Sequence, residues 1–205
     1  SSYGKYGTDD VIVISRSNKR ANVFNNGIRN SVLYREEELS SGDMLMVVKN
    51  NYFWSKDIKG FDFIANGDVA EVKRIRNKRE LYGFRFAEVL LYFPDYDVEI
   101  EANILLDTLQ SPSPTLTYDD SNRLFQAVQE DYMEIGNKRD RMLKMRQDPY
   151  LNALQVKFAY AVTCHKAQGG QWDDVYIDVG YITEEQTDIE FLRWLYTAFT
   201  RARRN

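Results

Sequence analysis

The stretch Leu154–Asp178, LQVKFAYAVTCHKAQGGQWDDVYID, constrains this chain more than any other. Leu154, Val156, Phe158, Tyr160 and Val162 lie two apart, which predicts a single strand with one buried face. The alternation stops at Thr163, where a polar run, Thr-Cys-His-Lys-Ala-Gln, ends in Gly169-Gly170. Val175-Tyr176-Ile177 then opens a second strand. A strand, a loop of hydrogen-bonding side chains and a glycine pair that lets backbone approach a ligand make the layout of an α/β ligand site.

The 205 residues are enough for one large domain or two small ones with a real core. One cysteine and one histidine exclude an internal disulfide and a Cys/His metal site. No run of about 18 apolar residues is present, so no membrane span is expected. The opening SSYGKYGTDD has no apolar secretion core, and a cytoplasmic location is the expectation. A net charge of -4 is not the footprint of a chain that coats nucleic acid by bulk charge, so any such contact has to be local. Two stretches are rich in cations, Lys138–Arg146 (KRDRMLKMR) and the terminal Arg201-Ala202-Arg203-Arg204. A solvated helix face accounts for the first.

Val11-Ile12-Val13-Ile14 reads as a strand buried on both faces. Ser17 or Asn18 is placed to cap a helix carrying Ala21, Phe24, Ile28 and Val32 at helical spacing. Arg16, Asn18 and Arg20 then fall at the strand's carboxyl end, where open α/β sheets hold ligands. From Gly42 the texture changes. GDMLMVVKNNYFW, a strand after Asn66-Gly67, and two or three β segments broken near Pro94–Asp97 predict a small barrel of the SH3 or OB type. Most of its aromatics are expected in its core. Tyr118–Gln147 reads as helical, capped by Asp119 or Asp120, with Leu124, Phe125, Val128 and Tyr132 as a packing stripe and a break near Gly136. A last helix, capped by Thr187 or Asp188, is expected to bury Ile189, Leu192, Leu195, Tyr196 and Phe199. It ends in Thr200-Arg201-Ala202-Arg203, and a chain stopping at Asn205 just after it reads as cut.

Several chemistries are excluded. Cys164 and His165 are sequence neighbours, expected on opposite faces of a strand, and so do not form a nucleophile–base pair. The chain has no G-x-S-x-G, no G-x-G-x-x-G and no G-x-x-x-x-G-K-[ST]. No metal site is expected; Asp173-Asp174 reads as a polar strand edge. What remains are donors suited to a phosphodiester backbone, Thr163, His165, Lys166 and Gln168, and in Arg201 a permanently charged fork suited to a phosphate.

AYAVTCHKAQGGQWDDVYID resembles motif V of superfamily 1 helicases, and LYTAFTRAR resembles their motif VI. DDVIVISRSNKRANVFNNGIR, and GDMLMVVKNNYFW followed by ANGDVAEV, are similar to the RecD- and Dda-type branch. The matches come in that branch's order and cover most of the chain outside about Ile75 to Asn152. The resemblance is to the C-terminal motor lobe, the UvrD-like helicase C-terminal domain. It implies an α/β fold: a RecA-like lobe of the P-loop NTPase type with a parallel sheet, from residues 1–41 and 150–205, interrupted by an SH3-like β-barrel insert with following helices at 42–149.

The same resemblance implies roles. The arginine matching Arg201 reaches a nucleotide's γ-phosphate as an arginine finger, with Gly170 and Gln171 beside the nucleotide. The family usually has Glu at the position of Gln171, so its ribose contact loses a charge here. Thr163, His165, Lys166 and Gln168, with Asn18 and Arg20, fall where relatives grip DNA. The implied cofactor is ATP with Mg²⁺, both held mainly by an N-terminal RecA-like lobe that carries the phosphate loop. The implied partner is single-stranded DNA or a duplex junction, with movement 5′ to 3′ and the insert retaining the strand. Alternation between a closed, nucleotide-bound cleft and an open one would convert that grip into steps. Two other readings stand beside this one: a non-enzymatic single-stranded nucleic-acid-binding module built on the β insert, and an RNA helicase of the same superfamily.

Overall fold

Four consecutive β-branched residues favour an extended, fully buried strand. In the computed structural model, which describes residue 7, residues 10–183 and residues 187–203, β1 (Val11–Ser15) has all five side chains buried. It is the middle of a three-stranded parallel sheet, flanked by β7 (Ala161–Thr163) and β8 (Asp174–Asp178). Helix α1 (Asn18–Ser31) follows β1 directly, and Ser17 is its cap, the Oγ accepting from the Arg20 amide at 3.2 Å. Arg204 and the opening residues SSYGKY lie outside the described residues.

The chain divides into two units. One comprises the residues up to Glu38 and from Phe158 onward and contains the parallel sheet; the other is Leu39–Lys157. The second unit is a closed five-stranded barrel of β2 (Met44–Val47), β3 (Val69–Leu81), β4 (Phe84–Phe93), β5 (Val98–Leu105) and β6 (Leu154–Phe158). Closure runs through the Val48 amide, which donates to the Gln155 carbonyl at 2.9 Å. Phe61, Phe84, Phe86 and Phe93 are buried, in line with a core role for the barrel's phenylalanines. Helix α2 (Tyr118–Asp131) packs Leu124 and Val128 against Phe84, Phe86 and Leu105. Helix α3 (Lys138–Met145) buries Met145, and Leu143 is half exposed.

In four places the structure corrects or extends the sequence-based expectations. The alternating run Leu154–Val162 is two strands, β6 in the barrel and β7 in the parallel sheet. Its period is unbroken because both halves have a buried face, so pattern alone cannot see the change of sheet. The join is set by Asn25 on α1, a buried residue. Its Nδ2 donates to the carbonyls of Ala161 at 2.9 Å and Phe158 at 3.3 Å, and its Oδ1 accepts from the Ala161 amide at 2.7 Å. Second, α2 is capped by Thr117, whose Oγ1 accepts from the Asp120 amide at 3.1 Å; Asp119 and Asp120 instead occupy the first turn, where carboxylates suit the helix dipole.

Third, the charged run after Ile75 is strand. β3 continues to Leu81 with its side chains exposed, turning back at Tyr82-Gly83, both with positive φ. Its arginines lie across from acids on β4 and β5: Arg76 pairs with Glu101, and Arg79 with Glu88 at 3.5 Å. Cross-strand charge pairs of this kind stabilise the exposed outer half of β3, while β4 opposite it keeps Phe84 and Phe86 buried.

The fourth concerns the last helix, α4 (Ile189–Phe199), capped by Asp188. Its buried residues are Phe191 and Ala198, while Ile189, Leu192, Tyr196 and Phe199 are each more than half exposed. The helix is apolar almost all round, so helical spacing fits two stripes and packing chooses between them. We expect Phe191→Ala to lower the unfolding free energy by about 3 kcal/mol, in the range for truncating a buried aromatic. Leu192→Ser should change it by less than about 0.5 kcal/mol. Urea titration of both variants checks this, and the reverse order would show that the other stripe is the packed one.

Candidate functional site

Three strand ends come level. Ser15 is in register with Thr163 on one side and Asp178 on the other, so β1, β7 and β8 all present their carboxyl ends at one edge. Thr163 sits on that edge, and the following residues fold into a tight turn rather than extended strand. The Thr163 carbonyl accepts from the amides of Lys166 and Ala167, and the Ala167 carbonyl accepts from Gly170. The turn buries Cys164 and Ala167 and leaves His165 and Gln168 exposed, with Lys166 half-buried. Cys164 and His165 are therefore split between core and solvent. Burial pushes the Cys164 thiol up, against a smaller opposing effect of the Arg201 charge. Burial also lowers Lys166 from the usual lysine range.

The glycines have separate reasons. Gly169 has φ +90, a conformation the turn requires and side chains resist. At Gly170 a Cβ would meet the Trp172 ring at 2.3 Å. The space next to Gly170 is thus filled by indole, so this glycine seats Trp172 where the sequence suggests room for a ligand. Trp172 in turn holds the end of the chain: its amide donates to the Arg201 carbonyl at 3.0 Å, and its carbonyl accepts from the Arg203 amide at 2.8 Å. Gln171 is exposed between them.

Arg201 lies just past α4, half-buried against this turn. Its Nη1 donates to the Gly170 carbonyl at 3.4 Å, Nε to the Thr197 carbonyl at 3.2 Å, and Nη2 to Thr200 Oγ1 at 3.1 Å. The fork is oriented by three oxygens, none of them charged. Arg203 differs: it lies 3.6 Å from Asp10 and 3.9 Å from Asp173, so the terminal basic cluster is partly neutralised.

The residues at the end of β1 are already engaged. Arg20 makes a two-pronged pair with Asp178, Nε to Oδ2 at 2.8 Å and Nη2 to Oδ1 at 2.6 Å. The hydrogen bond from Arg20 holds the Asp178 carboxyl below its ordinary range, and the same bond raises Arg20. Arg16 lies over the rings of Phe191 and Trp194, 5.5 and 6.0 Å from their centroids. Asn18 is half-buried in the first turn of α1. The fold therefore gathers Thr163, His165, Lys166, Gln168, Gly170, Gln171 and Arg201 around one turn, with Asn18 and Arg20 after the neighbouring strand end. Sequence reasoning overlooked Trp172 and Asp178. An acid ending a strand in register with the end of β1, which leads into Arg20's helix, was the signal for Asp178, and an aromatic two residues beyond Gly170 was the signal for Trp172.

Residues 158–205 match the UvrD-like helicase C-terminal domain. The UvrD-like segment thus holds the whole turn, Trp172 and Arg201. An uncharacterized protein of Acanthamoeba polyphaga mimivirus is 24% identical over 232 residues, covering 93% of this chain and 46% of the relative. Two solved structures are similar at 14% identity and a TM-score of 0.45. One is of Pif1 helicases described as unwinding forked duplex DNA, with 96% of this chain and 38% of that chain covered. The other is the Pif1 helicase from Candida albicans, with 94% and 42% covered. The chain spans less than half the length of these relatives.

Proposed function

We propose that the parallel-sheet unit is part of the second, RecA-like motor lobe of a superfamily 1 DNA helicase of the RecD-like branch, working 5′ to 3′, and that the barrel is its SH3-like insert. The observation that carries this reading is the contact between Arg201 and the backbone of the Gly169-Gly170 turn, because it puts the permanently charged fork on the same edge as Thr163, His165 and Lys166. A nucleotide-sensing arginine and a backbone-gripping turn that share one rigid support can influence each other.

The roles follow from the donors available. Thr163, His165, Lys166 and Gln168 supply a hydroxyl, an imidazole, an ammonium and an amide toward phosphodiester oxygens, with Asn18 in the first turn of α1 beyond the neighbouring strand. Arg20 reaches DNA in this reading only by exchanging Asp178 for a phosphate. Arg201, with Gly170 and Gln171 beside it, presents positive charge to a nucleotide phosphate. ATP with Mg²⁺ supplies the phosphoryl chemistry when bound. In this chain only Arg201 fits such a group closely: no phosphate loop occurs in the sequence, and no group of three His, Cys, Asp or Glu is placed to hold a metal among the described residues. Both are therefore assigned mainly to an N-terminal RecA-like lobe of the same protein.

The test is ATP turnover by a longer protein that includes this chain, with and without single-stranded DNA. We expect DNA-stimulated hydrolysis, a stimulation reduced about tenfold in Lys166→Ala (one lost charged contact at about 1.4 kcal/mol), and faster unwinding of DNA than of RNA duplexes. The 205-residue chain alone should be inactive. Turnover by that chain, lost in Arg201→Ala, would overturn the assignment, and preferential unwinding of RNA would move it to an RNA helicase.

A further inference from the structure

On the barrel unit, Tyr52 and Phe63 are stacked, ring centroids 5.1 Å apart and 26° from coplanar, yet they are 64% and 37% exposed. Tyr52 is also part of the wall of a cleft of about 200 Å³, while Phe63 lies behind the ring and outside that wall. Lys49, Asn50 and Gln155 line the same cleft, and no carboxylate does, in a protein whose acids outnumber its bases by 31 to 27.

The polar groups there point to a ligand's chemistry. Asn50 Oδ1 already accepts from the Asn66 amide at 2.7 Å, and Gln155 Oε1 from the Leu116 amide at 2.9 Å. Asn50 and Gln155 thus keep an NH₂ group each, and Lys49 an ammonium, as donor groups among the residues that line the cleft. The floor is rigid. Asn51 Nδ2 and Trp54 Nε1 both donate to the Asn152 carbonyl at 2.8 Å, and Asn51 Oδ1 accepts from the Phe53 and Trp54 amides. A preformed cleft with an open aromatic face, amide donors and a cation suits a flat, acceptor-rich ring with an attached phosphate. A cavity of about 150 Å³ is enough to take up a benzene ring.

We propose that this cleft is a nucleotide-binding subsite for single-stranded DNA: one base stacks on Tyr52, backed by Phe63, and the adjoining phosphate meets Lys49. The inference rests on the single-strand reading above but names a site remote in sequence from the helicase-like turn. Stacking on an aromatic is sequence-tolerant, so the subsite grips a strand without reading it.

The test is fluorescence anisotropy of the 205-residue chain with a labelled oligothymidylate about 12 nucleotides long, a length within the range such sites cover, in the absence of any ATP. Tyr52→Ala should weaken binding about 5- to 150-fold, the value of one stacked base (about 1–3 kcal/mol). Tyr52→Trp should restore it, which a merely structural role of Tyr52 would not require. Lys49→Gln should weaken binding and reduce the salt slope by about one. Tyr118→Ala, which removes an aromatic exposed to 80% elsewhere on the unit, should change nothing. Wild-type affinity in Tyr52→Ala would overturn the proposal. So would an absence of binding by the parent chain, or competition by free thymidine monophosphate at the strand's own concentration, which would assign the cleft to a free nucleotide. Because no nucleotide triphosphate is present, these outcomes are separate from failure of the motor assignment, which is read in ATP turnover.

Discussion

Replacing Arg201 by alanine, in a longer protein that contains this chain, is expected to reduce kcat for ATP hydrolysis by about 10³- to 10⁵-fold, the usual worth of an arginine finger. That corresponds to about 4–7 kcal/mol at about 1.36 kcal/mol per decade. Arg201→Lys should recover little of it, because an ammonium cannot reproduce the planar fork. Thermal stability should hardly move: the side chain bonds two carbonyls and a hydroxyl that are only partly buried, and water replaces it there. Single-strand binding without nucleotide should also survive. A loss of less than tenfold in kcat with normal folding would refute the role given to Arg201 while leaving the barrel subsite standing.

The second large effect is on folding. Asn25→Asp is expected to destabilise the chain by about 3–5 kcal/mol, because it puts a carboxylate where Nδ2 now donates to the carbonyls of Phe158 and Ala161. The new acid would be harder to ionise in the folded state than in the unfolded chain. By linkage, its charge-dependent destabilisation is largest at high pH, shrinks as pH falls through the raised folded-state value, and is gone below about 4, where aspartate is protonated in the unfolded chain as well. Asn25→Ala removes all three bonds, including the one from the Ala161 amide, without adding charge and should cost about 2–3 kcal/mol, with no such pH dependence. Denaturant titrations at pH 7 and at low pH distinguish the two. A cost below about 1 kcal/mol for the aspartate would mean the β6–β7 join is held by something else.

How much was legible beforehand depends on how local each cause is. Val11–Ile14 declared a buried strand because a run of β-branched residues has few other places to go, and Ser17 was a readable cap because capping acts over three residues. The hairpin break at Pro94–Asp97 was legible for the same reason. Tyr82-Gly83 was less so, because a charged strand with no buried face carries no period to interrupt. At the site, the residue types and their order around Gly169-Gly170 were visible. What Gly170 makes room for was not, since the Trp172 ring fills that space only after the chain has turned back. Arg20 and Arg16 were picked out as cations at a strand end, but sequence had no means of showing that Asp178 and the rings of Phe191 and Trp194 would engage them.

The amino-acid order by itself determined the buried strand at Val11–Ile14, the caps at Ser17 and Asp188, the two textures of the chain and the set of donors gathered after β7. These depend on contacts within a few residues, where covalent geometry and periodicity act. Only the tertiary structure decided which face of α4 is buried, that one alternating run serves two sheets, and that Arg201 leans on the turn 31 positions before it. Those outcomes depend on which distant surfaces meet, and an apolar residue carries no mark of the partner it will find.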